Sequence, residues 1–436
     1  MKTTLLILVM IGAGWRSGAA GDTSKPTDSI TVGQAVEMTL QNHEAIREAQ
    51  YRITASEARI DVSRSARYPD VSIDGRYTRL GPVSTFDLPG EGELAVAPYN
   101  NYDLHVDLRQ TLYDFGKTEK SIQLAETSRQ ADVDNLDLVK FNLAYQTIGV
   151  FNNILILRQQ IDVLDDQLQT LQQHLGISVK RMKAGTATDF DTLTIQVRIA
   201  VVQGDRIDAD HALKSQEIMF RRLTGLPEET PVNLSGAFVS DSVELQQDSL
   251  VTVAVKQRPE MKLAHDAESS ATARLQLVSL GDKPKVTLNF ATGLKNGYEP
   301  NLDTWRGNYM AGLEMKMPVF NGRKTKHEEA AADAEISSAH SHTIDLERQI
   351  RADVLKAIAG VTSNEDKIAS AETQVEQAQK AVSMARVRYA AGVVTNLDLL
   401  DAETTLSQTR LIRLRALYNY TVSLNELDRA TGKVVW

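Results

Sequence analysis

The 436-residue sequence contains no cysteine. Disulfides, thiolate metal sites, a cysteine nucleophile and an acylated N-terminal cysteine are therefore excluded. Membrane-length apolar runs are missing as well, since no segment offers the roughly 20 uncharged residues that a spanning helix needs. Positive charge is scarce. The formal net charge is −9, and removing residues 1–20 takes away Lys2 and Arg16 but no acid, which leaves −11. An acidic chain of this kind is a poor binder of nucleic acid. Proline is absent from 99–226 and from 319–436, all eleven prolines lying at or before Pro98 or between Pro227 and Pro318. An interior proline costs a helix about 3 kcal/mol, so these two stretches are free to be helical over most of their length.

Catalytic signatures are lacking too. No G-x-G-x-x-G, G-x-S-x-G or H-E-x-x-H pattern occurs; His327-Glu328 lacks its second histidine and Gly90-Glu91-Gly92 its third glycine. His340 and His342 are two apart and fall on different faces of a predicted helix, a poor arrangement for a metal. The expectation is a protein that is not an enzyme, with no metal and no cofactor.

What is present begins with an export signal. Lys2 precedes an apolar run from Leu5 to Ile11, and small residues follow through Ala19 and Ala20. This reads as a secretory signal peptide over 1–20, with Arg16 an unusual residue so near the cut.

The rest of the chain is a duplication. KRMKAGTATDFDTL, Lys180 to Leu193, matches VRYAAGVVTNLDLL, Val387 to Leu400, every pair being 207 residues apart. The same shift carries Thr224-Gly225 onto Thr431-Gly432, and upstream it becomes 215, taking Ile46 to Met261 and Pro69 to Pro284. The reading is one repeat over 28–225, a linker over 226–247 and a second repeat over 248–432. Only four residues follow Gly432, so a collar around the waist is expected mainly from the linker.

Within the first proline-free stretch, Val150, Ile154, Leu157, Ile161, Leu164, Leu168, Leu171 and Leu175 alternate spacings of four and three. That is a coiled-coil seam. The second copy repeats the phase with smaller residues: Ala357, Val361, Asn364, Ile368, Ala371, Val375, Ala378 and Val382. One helix from Lys117 to Ala184 would run about 100 Å at 1.5 Å per residue. Gly185 and Gly392 then break the pattern, which predicts long helical hairpins over 117–222 and 323–430 with glycine tips.

Four other segments, about 70–80, 102–113, 285–294 and 308–319, alternate apolar and polar residues. Tyr102, Leu104, Val106 and Leu108, for example, interleave with Asp103, His105, Asp107 and Arg109. Such strands have one oily and one wet face. In a soluble protein the oily face would meet a core. In an exported chain, ten-residue alternating strands joined in pairs match the outer-membrane barrel, with Tyr77, Tyr102 and Tyr309 suited to its aromatic girdle. Four strands are too few to close a barrel, and an open edge in lipid leaves backbone groups unpaired, so membrane residence requires oligomerisation.

With its paired R-x-x-x-G tips, the run RYAAGVVTNLDLLDAETTL and the strand-to-helix junctions LYDFGK and PVFNGR, the sequence resembles the TolC family of outer-membrane factors over essentially its whole mature length. The resemblance implies a mainly α chain with a transmembrane β-barrel portion. In that arrangement a homotrimer pools four strands per chain into a twelve-strand barrel in outer-membrane lipid, and coiled-coil helices form a periplasmic α-barrel. It implies a passive duct for efflux or type I secretion, opened at its periplasmic tip by an adaptor protein and an inner-membrane transporter. Carried over by position, Asp398 and Asp401 form acidic rings at a pore gate, and Tyr389 reaches Asp191 as a latch. The bland alternative for Asp398 and Asp401 is a solvated pair near a helix N-terminus. Val394 stands where the family carries a latch arginine, so the closure is expected to be weaker or built differently. Arg181, Gly185, Arg388, Gly392 and Val393 are the expected adaptor-docking tips, the alternative being plain turn geometry. The rival function is a soluble periplasmic coiled-coil scaffold, and the cargo stays open among drugs, metal ions, metabolites and polypeptides.

Overall fold

The computed structural model describes residues 29–88, 92–238 and 245–435. The expected signal peptide, 1–20, lies outside the described residues, as does part of the 226–247 linker.

The chain opens with α1 (Val32–Asn42) and α2 (Glu44–Ser65), then β1 (Asp70–Arg79). A short hairpin, β2 (Thr85–Leu88) and β3 (Gly92–Ala95), leads to β4 (Asn100–Tyr113). Two helices follow, α3 (Lys117–Lys183) and α4 (Asp189–Thr224). The order then recurs without the small hairpin: α5 (Gln247–Gln257), α6 (Pro259–Val278), β5 (Lys285–Lys295), β6 (Arg306–Lys316), α7 (Lys324–Ala390) and α8 (Asn396–Ala430). β6 stops at Lys316, short of the expected 319, because Pro318 has no N–H to give to a ladder.

α3 and α7 are 67 residues each, so each runs about 100 Å. Their partners change along that length. Toward the tips α3 packs with α4 and α8, and α7 with α8; toward the sheet, α2 and α6 take over, packing against α3 and α7. The takeover is end to end. The Asn42 side chain at the end of α1 donates to the carbonyl of Thr224, the last residue of α4, at 3.0 Å. In the second half, the turn after α8 packs on Arg258 ahead of α6. The result is a wall of helices four abreast in both halves, threaded by the two long ones.

The apolar core lies where helices meet. Ile350, Val354, Val361, Ile368 and Tyr420 form one cluster with α5, and Phe151, Ile154, Phe220 and Leu223 another with α1 and Val232. A third, with Leu164, Leu168, Leu171, Ile195, Val202 and Leu400, joins the two hairpins toward the tips. The linker is held against the wall at mid-height. Ile30 bridges Leu234, and the Arg158 guanidinium donates to the Val232 carbonyl.

The sheet runs β1-β4-β5-β6, antiparallel throughout. Its register sorts side chains by face. Val71, Ile73 and Tyr77 stand beside Leu108, Val106 and Tyr102, and Leu288 and Val286 beside Leu313 and Met315. The other face carries Asp70 with Arg109, Asp74 with His105, and Arg76 with Asp103 and Lys295. Among the described residues nothing covers the oily face: Ile73, Tyr309, Leu313 and Met315 are all at least 70% exposed. Beyond it, at the end away from the helices, Tyr77, Tyr102 and Trp305 stack with ring centroids 5.1 and 5.4 Å apart.

Candidate functional site

Each hairpin tip is built by the same local chemistry. In the first, Gly185 takes φ +76° and the N–H of Thr186 donates back to the Arg181 carbonyl at 2.9 Å. In the second, Gly392 takes φ +72° and the N–H of Val393 donates to the Arg388 carbonyl at 2.9 Å. A left-handed glycine with this back-bond ends a helix cleanly.

The return helices then start with matched capping boxes. The Thr188 N–H and hydroxyl both donate to Asp191 Oδ2 at 2.8 Å, and the Asp191 N–H donates to the Thr188 hydroxyl oxygen at 3.2 Å. Thr395 and Asp398 repeat the arrangement at 2.8, 2.7 and 3.2 Å. Two of the expected gate acids are thus helix caps first. The Thr395 hydroxyl and N–H hold the Asp398 carboxyl below the usual carboxylate range, so it is charged well into acid. Asp401, one turn on, is exposed and faces Arg198 of α4 at 3.4 Å.

Within one chain, Tyr389 makes no hydrogen bond to Asp191 among the described residues. The Arg181 guanidinium lies over the Tyr389 ring, 4.4 Å from its centroid, and donates to the carbonyls of Tyr389 and Ala390 at 3.2 and 3.3 Å. A cation at the carbonyl end of α7 is favoured by the spare acceptor capacity of its last carbonyls and by the helix dipole. Ring and carbonyls together hold Tyr389 inward, buried, with its edge on His174 at 5.6 Å. What Asp191 does receive across the tips is the Asn396 side chain, which donates to its backbone carbonyl at 3.3 Å.

Behind Tyr389 lies a charged cluster that the sequence reading passed over. His174 of α3, 3% exposed, places Nδ1 3.1 Å from Glu403 Oε2 of α8, while Arg386 of α7 donates to Glu403 Oε1 at 3.1 and 3.2 Å. A cavity of about 320 Å³ opens beside it, lined by Gln167, Arg386, Glu403, Ser407 and Arg410. His174 Nε2, Ser178 Oγ and Asn396 Oδ1 are buried there without partners. A buried carboxylate needs a cation, here Arg386 of α7, and Glu403 also has the His174 ring of α3 within hydrogen-bond reach. The available signal is a histidine beside an apolar seam whose repeat counterpart, Ala381, is small.

The other expected tip residues, Gly185, Arg388, Gly392 and Val393, are exposed. Arg181 is not free for docking, being committed to the end of α7. Among the described residues no cluster of His, Asp and Glu is arranged to hold a metal, and no helix is long and apolar enough to cross a membrane.

A four-stranded sheet with one bare oily face, continued by a wall of 100 Å helices, is the geometry of one segment of a barrel and tunnel. The family model described as outer membrane efflux protein matches residues 35–226 and 250–433. The chain belongs to the outer membrane efflux protein family. The alkaline protease secretion protein AprF of Pseudomonas aeruginosa is 25% identical over 346 residues, 77% of this chain and 70% of that one. Outer membrane protein TolC of Escherichia coli is 21% identical over 419 residues, covering 90% and 80%. In fold the chain is similar to the CmeC outer membrane channel of Campylobacter jejuni, with a TM-score of 0.79 over 98% of this chain and 93% of that one at 13% identity. It is also similar to the open-state MtrE outer membrane channel of Neisseria gonorrhoeae, with a TM-score of 0.75 over 92% and 88% at 18% identity. This outer membrane efflux protein is therefore a channel protein of the outer membrane that extends into the periplasm. Its sheet is a share of the membrane β-barrel and its long helices are a share of the α-barrel. Residence in the outer membrane sets aside the soluble scaffold.

Proposed function

We propose that three copies of this chain form a passive export duct, held shut at its periplasmic tip until a periplasmic adaptor and an inner-membrane transporter open it. The observation that carries the reading is the pair of open margins. β1 and β6 each have one unpaired edge, and α4 and α7 are the outer helices of the wall. β1 and β6 run antiparallel, so β6 of one copy can pair with β1 of the next, and three copies supply twelve strands with no edge left in lipid. The wet faces, with their mixed charges, then line the lumen.

At the tip, the gate reading assigns the acidic rings to Asp398 and Asp401. Three copies of both around one axis would focus a negative potential on cations. Asp398 keeps Oδ1 free of its cap, and Asp401 is exposed, which supports both as ring members. Asp191 and Tyr389 act by shaping the tips around them. The adaptor docks on Gly185, Gly392 and Val393, which are exposed at the turns, with Arg181 fixing the end of α7 from behind.

The test is planar-bilayer conductance of the purified protein under added multivalent cation, with native chain beside Asp398→Asn plus Asp401→Asn. Block is expected in the native channel and its loss in the double variant. Equal block in both would remove the acidic rings, and absence of any conductance would remove the duct.

A further inference from the structure

The internal repeat makes the seam between copies legible from the seam within one. Inside the chain, α8 lies on α3: Leu400 is 1% exposed, Glu403 and Ser407 are buried, and the Ser407 hydroxyl donates to Gln167 at 2.7 Å. Shifting by 207 residues turns α8 into α4 and α3 into α7. The counterparts Leu193, Gln196 and Ala200 on α4 are all exposed, Leu193 at 57%. Across from them, Gln374 and Ala381 on α7, counterparts of Gln167 and buried His174, are exposed as well. The same two faces recur, and in the single chain they lack each other.

The tips carry the same logic. Arg181 caps the carbonyls of Tyr389 and Ala390. The side chain of its counterpart, Arg388, is exposed and makes no hydrogen bond or ion pair among the described residues. Shifted by one repeat, the carbonyls facing it belong to Met182 and Lys183 at the end of α3 in the next copy.

We propose that Arg388 caps the end of α3 in the neighbouring copy, across a seam made by α7 of one copy and α4 of the next. This rests on the trimeric duct reading and adds the residues that close it. The charged cluster has no counterpart in that seam, because His174, Glu403 and Arg386 become Ala381, Gln196 and Val179. Arg388 is then the charged restraint at the tip between copies, and each channel alternates three seams closed by an ion cluster with three closed by the arginine alone. Loosening Arg388 opens the tip between copies. A cation on an end-of-helix carbonyl is a modest interaction, suited to a joint that an adaptor must part.

The absence of native cysteine makes the geometry directly testable in the full-length trimer. Ala200→Cys with Gln374→Cys, treated with a short bismaleimide, is expected to give covalent dimers and trimers on denaturing gels. Gln167→Cys with Ser407→Cys is expected to stay monomeric. Arg388→Ala is expected to raise the resting conductance of bilayer-inserted trimers several-fold, and Arg388→Lys, which keeps the charge, by less. Assembled trimers that give no products between chains from the first pair, or in which Arg388→Ala leaves the native resting conductance, overturn the inference; the second result would return Arg388 to adaptor docking. A chain that forms neither trimer nor pore in any version counts against the duct reading instead.

Discussion

His105 on β4 reaches over Gly293 on β5 to Asn308 on β6, its Nε2 2.7 Å from the amide oxygen. The three residues stand in line across the wet face, and Asn308 in turn donates to the Tyr298 hydroxyl at 2.8 Å. A Cβ on Gly293 would overlap the Leu104 carbonyl oxygen and come within 2.7 Å of His105 Cα. Gly293→Ala should therefore push two strands apart, at a cost of roughly 1–3 kcal/mol. The check is the yield and melting temperature of assembled protein in detergent, both lowered, with Ala291→Gly as a control one residue pair away.

Asp266 on α6 faces Asp134 on α3, and its Oδ2 is buried with no donor. Burial and the second carboxylate push the Asp266 carboxyl up to about 6. An acid whose folded value is raised lends stability in acid that is lost as pH climbs through that value. Asp266→Asn should therefore leave the melting temperature nearly unchanged at pH 3, raise it partly at pH 5 and fully at pH 8. The gain is of the order of 1 kcal/mol, allowing for solvent screening of a half-buried side chain. A pH series of thermal unfolding in detergent reads both limbs.

Thr395 keeps Asp398 charged by giving it two hydrogen bonds. The folded value is depressed, so charge is present above it and lost as pH falls through it. Thr395→Ala removes the hydroxyl and moves the loss to higher pH. Cation block of the channel, titrated downward from neutral pH, should then fade earlier in the variant than in the native protein.

Arg258, at the junction of α5 and α6, joins Glu260 at 2.9 Å and Asp353 of α7 at 3.0 Å. Burial works against both the guanidinium and the Glu260 carboxyl, yet their pairing outweighs it and holds each in its charged form. Arg258→Ala leaves Glu260 half-buried without its cation, and should cost roughly 2–3 kcal/mol. A melting curve checks this, with Arg258→Lys expected to recover part of the loss.

The parts of this fold legible in sequence are those fixed by local periodicity. The Val150 to Leu175 seam and the alternation through Tyr102 to Leu108 are each set by residues within one element, and the tip glycines by one φ angle apiece. What escaped depends on residues far apart. The stacking of α4 on the first helices needs Asn42 to meet Thr224, and nothing near either residue announces it. Position points from Tyr389 to Asp191, whereas Arg181, one residue off the 207-residue shift, takes both the ring and the carbonyls. His174 is not legible in sequence because a single histidine beside a seam gains its partners, Glu403 and Arg386, only from two other helices.

The bare strand margins of β1 and β6 bear on the life of the protein before it works. A lone copy crossing the space between the two membranes carries an oily sheet and two rows of unsatisfied backbone groups, the template on which stray chains aggregate. Its safety in transit depends on how fast copies meet and cover those margins, so underproduction should harm the channel more steeply than the loss of protein alone.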